Sequence, residues 1–209
     1  FETWVAGQLK GLDLIYGYEY GSLTIFQRAH ELGIRTVYDL PSPEHDFVER
    51  LLAPEYARFP ELITPYRQRT LALQGERTER RSQEWELADL VIANSTFTAQ
   101  SWQQAGWSPR RVKVVPYGAP PPIADPGPGP GPQPLRLLWA GTFSIRKGAH
   151  LLIEALQQIT ATPAQLQIDV YGAQGLPKAL LAQAPNTLIF HGSIPRPELL
   201  ARMREAHAL

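Results

Sequence analysis

LRLLWAGTFSIRKGAHLLIEAL, residues 135–156, runs an apolar strand pattern into a glycine, crosses an Arg-Lys-Gly step and continues as an amphipathic helix. That order builds an anion site. A glycine at the end of a strand, Gly141, lets backbone approach a ligand closely, and a helix opening near Gly148 presents unpaired N–H groups and the positive end of its dipole. Lys147 at that mouth adds a full positive charge for charge-assisted hydrogen bonds to phosphate oxygens. The implied ligand is a diphosphate.

Six further short apolar runs surround it: LDLIYGY (12–18), RTVYDL (35–40), DLVIANS (89–95), RVKVVPY (111–117), LQIDVYG (166–172) and TLIFHG (187–192). With LRLLWAG (135–141) they make seven predicted buried strands. Between them lie helical patterns with apolar residues three and four apart, such as Leu23, Phe26 and Ala29, or Leu152, Ala155, Leu156 and Ile159. The alternation predicts an α/β protein with doubly wound parallel sheets, whose ligands lie beyond the carboxyl ends of the strands. Residues 41–88 carry no strand pattern and read as helices, with Pro54, Pro60 and Pro65 as breakers. ERTERRSQEWELAD (76–89) interleaves its charges and reads as a solvated helix face rather than a nucleic-acid patch.

The 209 residues suffice for one large domain or two smaller ones, at about 100 to 150 residues per domain. The clearest break is APPPIADPGPGPGPQP, residues 119–134, which can neither pair as a full strand nor hold a helix. It reads as a linker between domains at 1–118 and 135–209, or as a surface loop. Lys and Arg total 20 and Asp and Glu total 20, so no net field favours nucleic acid or an anionic membrane, and any anion site is local. The absence of cysteine excludes disulfides and thiol chemistry, and no run approaches the roughly 20 apolar residues of a membrane span. No Asp-x-Asp pair, histidine pair with ligand spacing or Gly-x-Ser-x-Gly elbow occurs, so no metal and no cofactor is expected. No Gly-x-Gly-x-x-Gly opens a helix, which argues against a dehydrogenase. The chain reads as cytoplasmic, and nothing in it indicates a peripheral membrane contact.

Five stretches occur in a telling order: WELADLVIANSTFTAQSWQQAG (85–106), RRVKVVPYGAP (110–120), the Gly141–Gly148 loop, VYG (170–172) and FHGSIPRPELLARMREA (190–206). Together they resemble retaining glycosyltransferases of family 4, also called group 1. The resemblance implies two Rossmann-like domains facing a cleft, the GT-B type. It implies a nucleotide-diphosphate sugar as donor, transfer with retention at the anomeric carbon, and a carbohydrate, lipid or small-molecule acceptor. It makes Lys147 the diphosphate contact, with Gly141 and Gly148 permitting its approach, Gly172 lining the nucleotide pocket, and Ser193 and Ile194 meeting the base.

Where many relatives place an arginine directly after the first glycine, this chain has Thr142; Arg146 either replaces that cation or points to solvent. The family's paired glutamates would follow Leu209 and its first strands would precede Phe1, so the resemblance implies an internal piece with both domains incomplete, inactive alone. A histidine in a comparable loop of relatives faces the reacting sugar, a role that falls on His45 unless it is a water-exposed loop residue. Glu44 and Asp46 flank it as acceptor-orienting carboxylates or as a solvated loop. Tyr18 and Glu19 end a strand and either line the acceptor side or, for the aromatic, serve in packing. Ser95 most simply caps the helix after it. His191 ends a strand, where its backbone counts for more than its ring. A nucleotide-sugar epimerase and a non-catalytic nucleotide-binding module are the competing readings.

Overall fold

A computed structural model describes residues 1–60, 63, 65–119, 121 and 131–209. Each of the seven apolar runs contains a strand: β1 (Leu14–Tyr18), β2 (Arg35–Leu40), β3 (Leu90–Ala93), β4 (Val112–Val114), β5 (Leu135–Ala140), β6 (Leu166–Tyr171) and β7 (Leu188–Gly192). The helices are α1 (Glu2–Ala6), α2 (Leu23–Glu31), α3 (His45–Arg58), α4 (Pro65–Ala72), α5 (Gln74–Glu86), α6 (Thr96–Gln104), α7 (Ala149–Gln157), α8 (Lys178–Leu181) and α9 (Arg196–Arg204). All strand pairs are parallel, in the orders β1-β2-β3-β4 and β5-β6-β7. The chain divides into two compact units, Phe1–Pro54 with Ile63–Pro120, and Glu55–Leu62 with Pro121–Leu209. Most of the predicted linker, residues 120 and 122–130, lies outside the described residues.

In the first unit the core joins α2, α5 and α6 to one face of the sheet, through Phe26, Ala29, Tyr38, Val91, Trp85 and Trp102 among others. Alternation along β1 sends Leu14, Tyr16 and Tyr18 to one side, where they stay 49, 53 and 56 % exposed. An aromatic file runs through the core. Trp85 meets the edges of Tyr38 at 6.4 Å, Trp102 at 4.9 Å and Trp107 at 5.3 Å, contacts each worth about 0.5–1.5 kcal/mol beyond area burial. Asp89 explains why β3 starts where it does. Its carboxylate accepts from Thr36 N–H at 2.8 Å while its own N–H donates to Thr36 Oγ1 at 3.0 Å, fixing the entry of β3 beside β2.

Helix α5 corrects the expectation of a solvated charged face, because Glu84 and Trp85 are fully buried. Glu84 reaches the β1–α2 turn and accepts from Tyr20 N–H and Ser22 N–H, both at 3.1 Å, and from Tyr38 Oη at 3.4 Å. Arg80 lies 3.3 Å from the same carboxylate and also pairs with Glu2. Burial lifts the Glu84 pKa above the ordinary carboxylate range; the Ser22 and Tyr20 amides and Arg80 pull it back.

Two further expectations change. Helix α3 continues through Pro54, the residue read as a breaker. A proline inside a helix loses one backbone hydrogen bond and crowds the preceding turn. Here the residues just beyond it are held in the second unit, by Glu55 at 3.0 Å from His150 and Arg58 at 2.5 Å from Glu154. Helix α7 stops at Gln157, leaving Ile159 outside it and 54 % exposed. Its buried face is Ala149, His150, Ile153 and Leu156, shifted from the predicted stripe.

In the second unit the chain returns to the free edge of β5 after α9. His207 N–H donates to Arg136 O at 2.7 Å, Leu138 N–H to Ala208 O at 3.0 Å, and Leu137 bridges Ala208 in parallel. The edge order is therefore His207–Ala208, β5, β6, β7, with the direction of winding reversed at β5.

Replacing Glu84 by Ala strands the Tyr20 and Ser22 amides and is expected to destabilise the fold by about 3 kcal/mol. Glu86→Ala, on the exposed side of the same helix, is expected to stay within about 0.5 kcal/mol. Denaturant titration of the two variants measures both values.

Candidate functional site

The three strands of the second sheet end side by side at Gly141, Gly172 and Gly192, all with positive φ. Beyond β5 the chain passes exposed Thr142, buries Phe143, and makes a 3-10 turn over Ile145–Lys147 before Gly148 opens α7. The side chains of Lys147 and Arg146 are both exposed, and neither makes a hydrogen bond or ion pair among the described residues. The amides nearest the junction differ from expectation. Gly148 N–H donates to Ile145 O at 2.8 Å and Ala149 N–H to Ser144 O at 3.1 Å, so neither is free. Leu152 N–H reaches Gly148 O, which leaves His150 and Leu151 as the first-turn amides without an intrahelical acceptor.

What fills the N-termini of the other long helices that follow strands separates this place from them. At α2, Glu84 takes the Ser22 amide and Glu2 takes Thr24 N–H at 2.9 Å. At α3, the Glu44 carboxylate accepts from Asp46 N–H at 3.0 Å and Phe47 N–H at 2.8 Å. At α6, Ser95 Oγ accepts from Thr98 N–H, the cap expected of it. Helix α9 opens without a side-chain cap but with Glu198 in its first turn. Helix α7 opens with neither a side-chain cap nor an acid, directly after two cations, at the strand where the winding reverses.

Ser193 is exposed and Ile194 half-buried in the turn between β7 and α9, at the same edge of the sheet. His191 departs from expectation: its ring stacks on Tyr171 at 4.6 Å and 13°, and its Nε2 is hydrogen bonded to Asp169 at 2.6 Å. Gln167 Nε2 donates to both oxygens of that carboxylate at 3.0 Å, so the ring is oriented by a fixed partner.

The first unit assembles a different cluster at the ends of β1 and β2. His45 is no water-exposed loop residue. It opens α3, its side chain is 12 % exposed, and its ring lies 5.3 Å from that of Trp85. Both ring nitrogens are buried without a hydrogen bond; Glu44 is 3.2 Å from Nδ1 and Asp46 3.7 Å from Nε2. Burial lowers the pKa, Glu44 and Asp46 work against that, and Arg81 adds to it. Glu44 is itself buried and engaged as a helix cap, rather than solvated in a loop. Asp46 is 55 % exposed. The ligand atoms of Glu44, His45 and Asp46 fall within 4.8 Å of one another, but the cap occupies the Glu44 oxygens.

Tyr18 is exposed at the end of β1, while Glu19 is mostly buried and paired with Arg81 at 2.6 Å. The guanidinium groups of Arg77 and Arg81 lie over the Tyr20 ring at 4.6 and 4.7 Å. Arg81, Arg77 and Tyr20 were not singled out in the sequence as site residues. The one local signal was an arginine pair one helical turn before a buried tryptophan.

No family model matches the chain, and no curated protein matches it. Solved structures do. An Anabaena protein, Alr3699/HepE in complex with UDP, aligns with 96 % of this chain and 54 % of its own at 20 % identity and a TM-score of 0.57. The same protein with UDP and glucose aligns at 22 % identity, 96 % and 53 % coverage, and a TM-score of 0.55. The lipopolysaccharide outer core galactosyltransferase WaaB, in its apo form, aligns with 99 % of this chain and 51 % of its own at 14 % identity and 0.60. The chain thus spans about half the length of these structures. At such identities the likeness is one of fold, and the two parallel α/β sheets match the Rossmann-like domains of the GT-B architecture.

Proposed function

We propose that this chain is part of a metal-independent glycosyltransferase of the retaining, family 4 type, using a nucleotide-diphosphate sugar as donor and a carbohydrate, lipid or small molecule as acceptor. The observation that carries the reading is the start of α7, an uncapped helix preceded by Arg146 and Lys147 at the strand where winding reverses. Ligands of open α/β sheets bind at such reversals. As the bond to the anomeric carbon lengthens, negative charge grows on the leaving diphosphate, and a preorganised cation beside a helix dipole lowers that barrier by about 2–4 kcal/mol. Gly141, Thr142, Gly148 and Gly172 form the floor of this donor site. Ser193 and Ile194 meet the base.

On the acceptor side, His45, Asp46, Tyr18 and Glu19 are the first unit's contacts for the acceptor. His45 acts as a neutral imidazole, since burial disfavours its charged form. Glu44 contributes by holding the start of α3 rather than by touching the acceptor. The Glu19–Arg81 pair and Tyr20 shape the neighbouring wall.

Lys147→Ala is expected to weaken uridine diphosphate binding at least tenfold in calorimetric titration, with the melting temperature unchanged. Equal affinity in the variant overturns the role of Lys147, and no binding of nucleoside diphosphates by the parent chain overturns the reading itself. In the complete enzyme, the anomeric configuration of the product, read by NMR, tests retention. Free sugar-nucleotide isomer in place of a glycoside would point to an epimerase.

The imidazole of His45 is expected to titrate below the usual value of about 6.5 when followed by NMR. Because the unfolded state then binds the proton first, stability falls as pH drops through 6.5 toward the folded-state value. The slope is at most about 1.4 kcal/mol per pH unit for this one group.

A further inference from the structure

We infer that Gly175 is a positioning residue for the diphosphate loop, holding Lys147 in place through Thr142, Phe143 and Ser144 without touching the ligand. The inference rests on the reading of the α7 start as the donor site. Past the ends of β5 and β6 the two chains stay zipped. Gly141 N–H donates to Tyr171 O at 2.8 Å, Phe143 N–H to Ala173 O at 2.8 Å and Gly175 N–H to Phe143 O at 2.9 Å, and Phe143 bridges Gln174 in parallel. From beneath, the fully buried ring of Phe143 is gripped by Trp139 at 5.0 Å and Phe190 at 5.2 Å.

Lys147 is suspended from the next residue. Ser144 O accepts from Lys147 N–H at 3.0 Å and from Ala149 N–H at 3.1 Å, so both the 3-10 turn and the first residue of α7 are referenced to it. A shift of the 142–144 backbone therefore moves the cation and the helix start together.

Gly175 is where such a shift is set. A Cβ there would lie 3.1 Å from Ser144 Cβ, and 3.2 Å from both Phe143 O and Thr142 Cγ2. Contacts that tight require neighbours to give by a few tenths of an ångström. Gly175 is not among the glycines with positive φ, so alanine suits its own backbone and the substitution acts by pushing on the loop. Gly172 is different: its φ is +153° and a Cβ would run into the Gly141 carbonyl, so substitution there breaks the loop instead of displacing it. The absent side chain at 175 thus sets the position of Lys147.

The test compares the parent chain with Gly175→Ala and with Gly175→Ala/Thr142→Ser, which removes the methyl that the new Cβ would meet, and uses Thr142→Ser alone as the reference for the double variant because Thr142 itself lines the proposed site. Amide spectra without ligand and calorimetric titration with uridine diphosphate are recorded for each. A misplacement of about an ångström can cost a hundredfold in reaction rate; for this smaller shift, read in binding, the expected loss of affinity is about tenfold. The melting temperature stays within about 2 °C, the amide resonances of Ser144–Gly148 move, and the double variant regains part of the affinity. Unmoved Ser144–Gly148 amides, or binding within twofold of the parent, overturn the positioning role. A parent chain that fails to bind while those amides still move in Gly175→Ala overturns the donor-site reading and leaves the mechanical coupling standing. A fall in melting temperature with unchanged affinity marks Gly175 as a packing residue only and overturns the inference.

Discussion

Glu84 lies where the first strand turns into its helix, and its carboxylate accepts from the amides of Tyr20 and Ser22, 64 and 62 residues away in sequence. In a parallel α/β unit this turn is the ordinary seat of a phosphate, because strand end and helix start converge there. Here the chain fills it with its own anion. The cost is a buried carboxylate, met by two amides, by Arg80 and by the Tyr38 hydroxyl, whose own pKa is raised by burial and by Glu84 so that it remains a donor. With that position internally satisfied, the β1–α2 turn becomes a rigid wall, and Glu44 and Ser95 close the next two helix starts in the same way.

The second unit repeats the strand-to-helix step without such a plug. Its first helix after a strand has no acid in its own first turn and no side-chain cap, and it is preceded by two exposed cations. The two units thus differ at their first turn: one is neutralised from within, and the other is the donor site of the reading proposed above. The strand order agrees, since the first sheet runs consecutively through its described strands while the second reverses at β5. A reversal sends the connections on either side of β5 to opposite faces, which opens the crevice at its carboxyl end.

The seven strands were legible because strands buried in parallel sheets are short continuous apolar runs bounded by turn residues, and those runs survive any change of partner. The place of Gly141, Lys147 and Gly148 between β5 and α7 was legible for a related reason, since a helix start after a strand is a local feature; their role belongs to the proposal. What the sequence hid depends on distant partners. Glu84 reads as one acid among many on a charged helix until the β1–α2 turn arrives to meet it. Pro54 reads as a stop until His150 and Glu154 hold the residues beyond it. His191 reads as a strand end until Asp169 and Tyr171, on the neighbouring strand, fix its ring. Motif and role also separate: Asp89 belongs to a recognisable run, yet its work is to lock β3 to β2 through Thr36.

Gly148 fixes where α7 starts relative to Lys147. It sits at φ +79° and ψ +17°, a left-handed conformation costing other residues about 1–2 kcal/mol, and it ends one helical turn as it starts the next. Were the helix continuous from Ile145, the positive end of the dipole would move back to that residue, and Lys147 would stand inside the first turn with its amide pointing along the axis. The break keeps the helix start at Ala149, immediately after Lys147. In the proposed donor site, the field of the helix and the charge of the side chain would then act on one diphosphate, which a single surface lysine does not do.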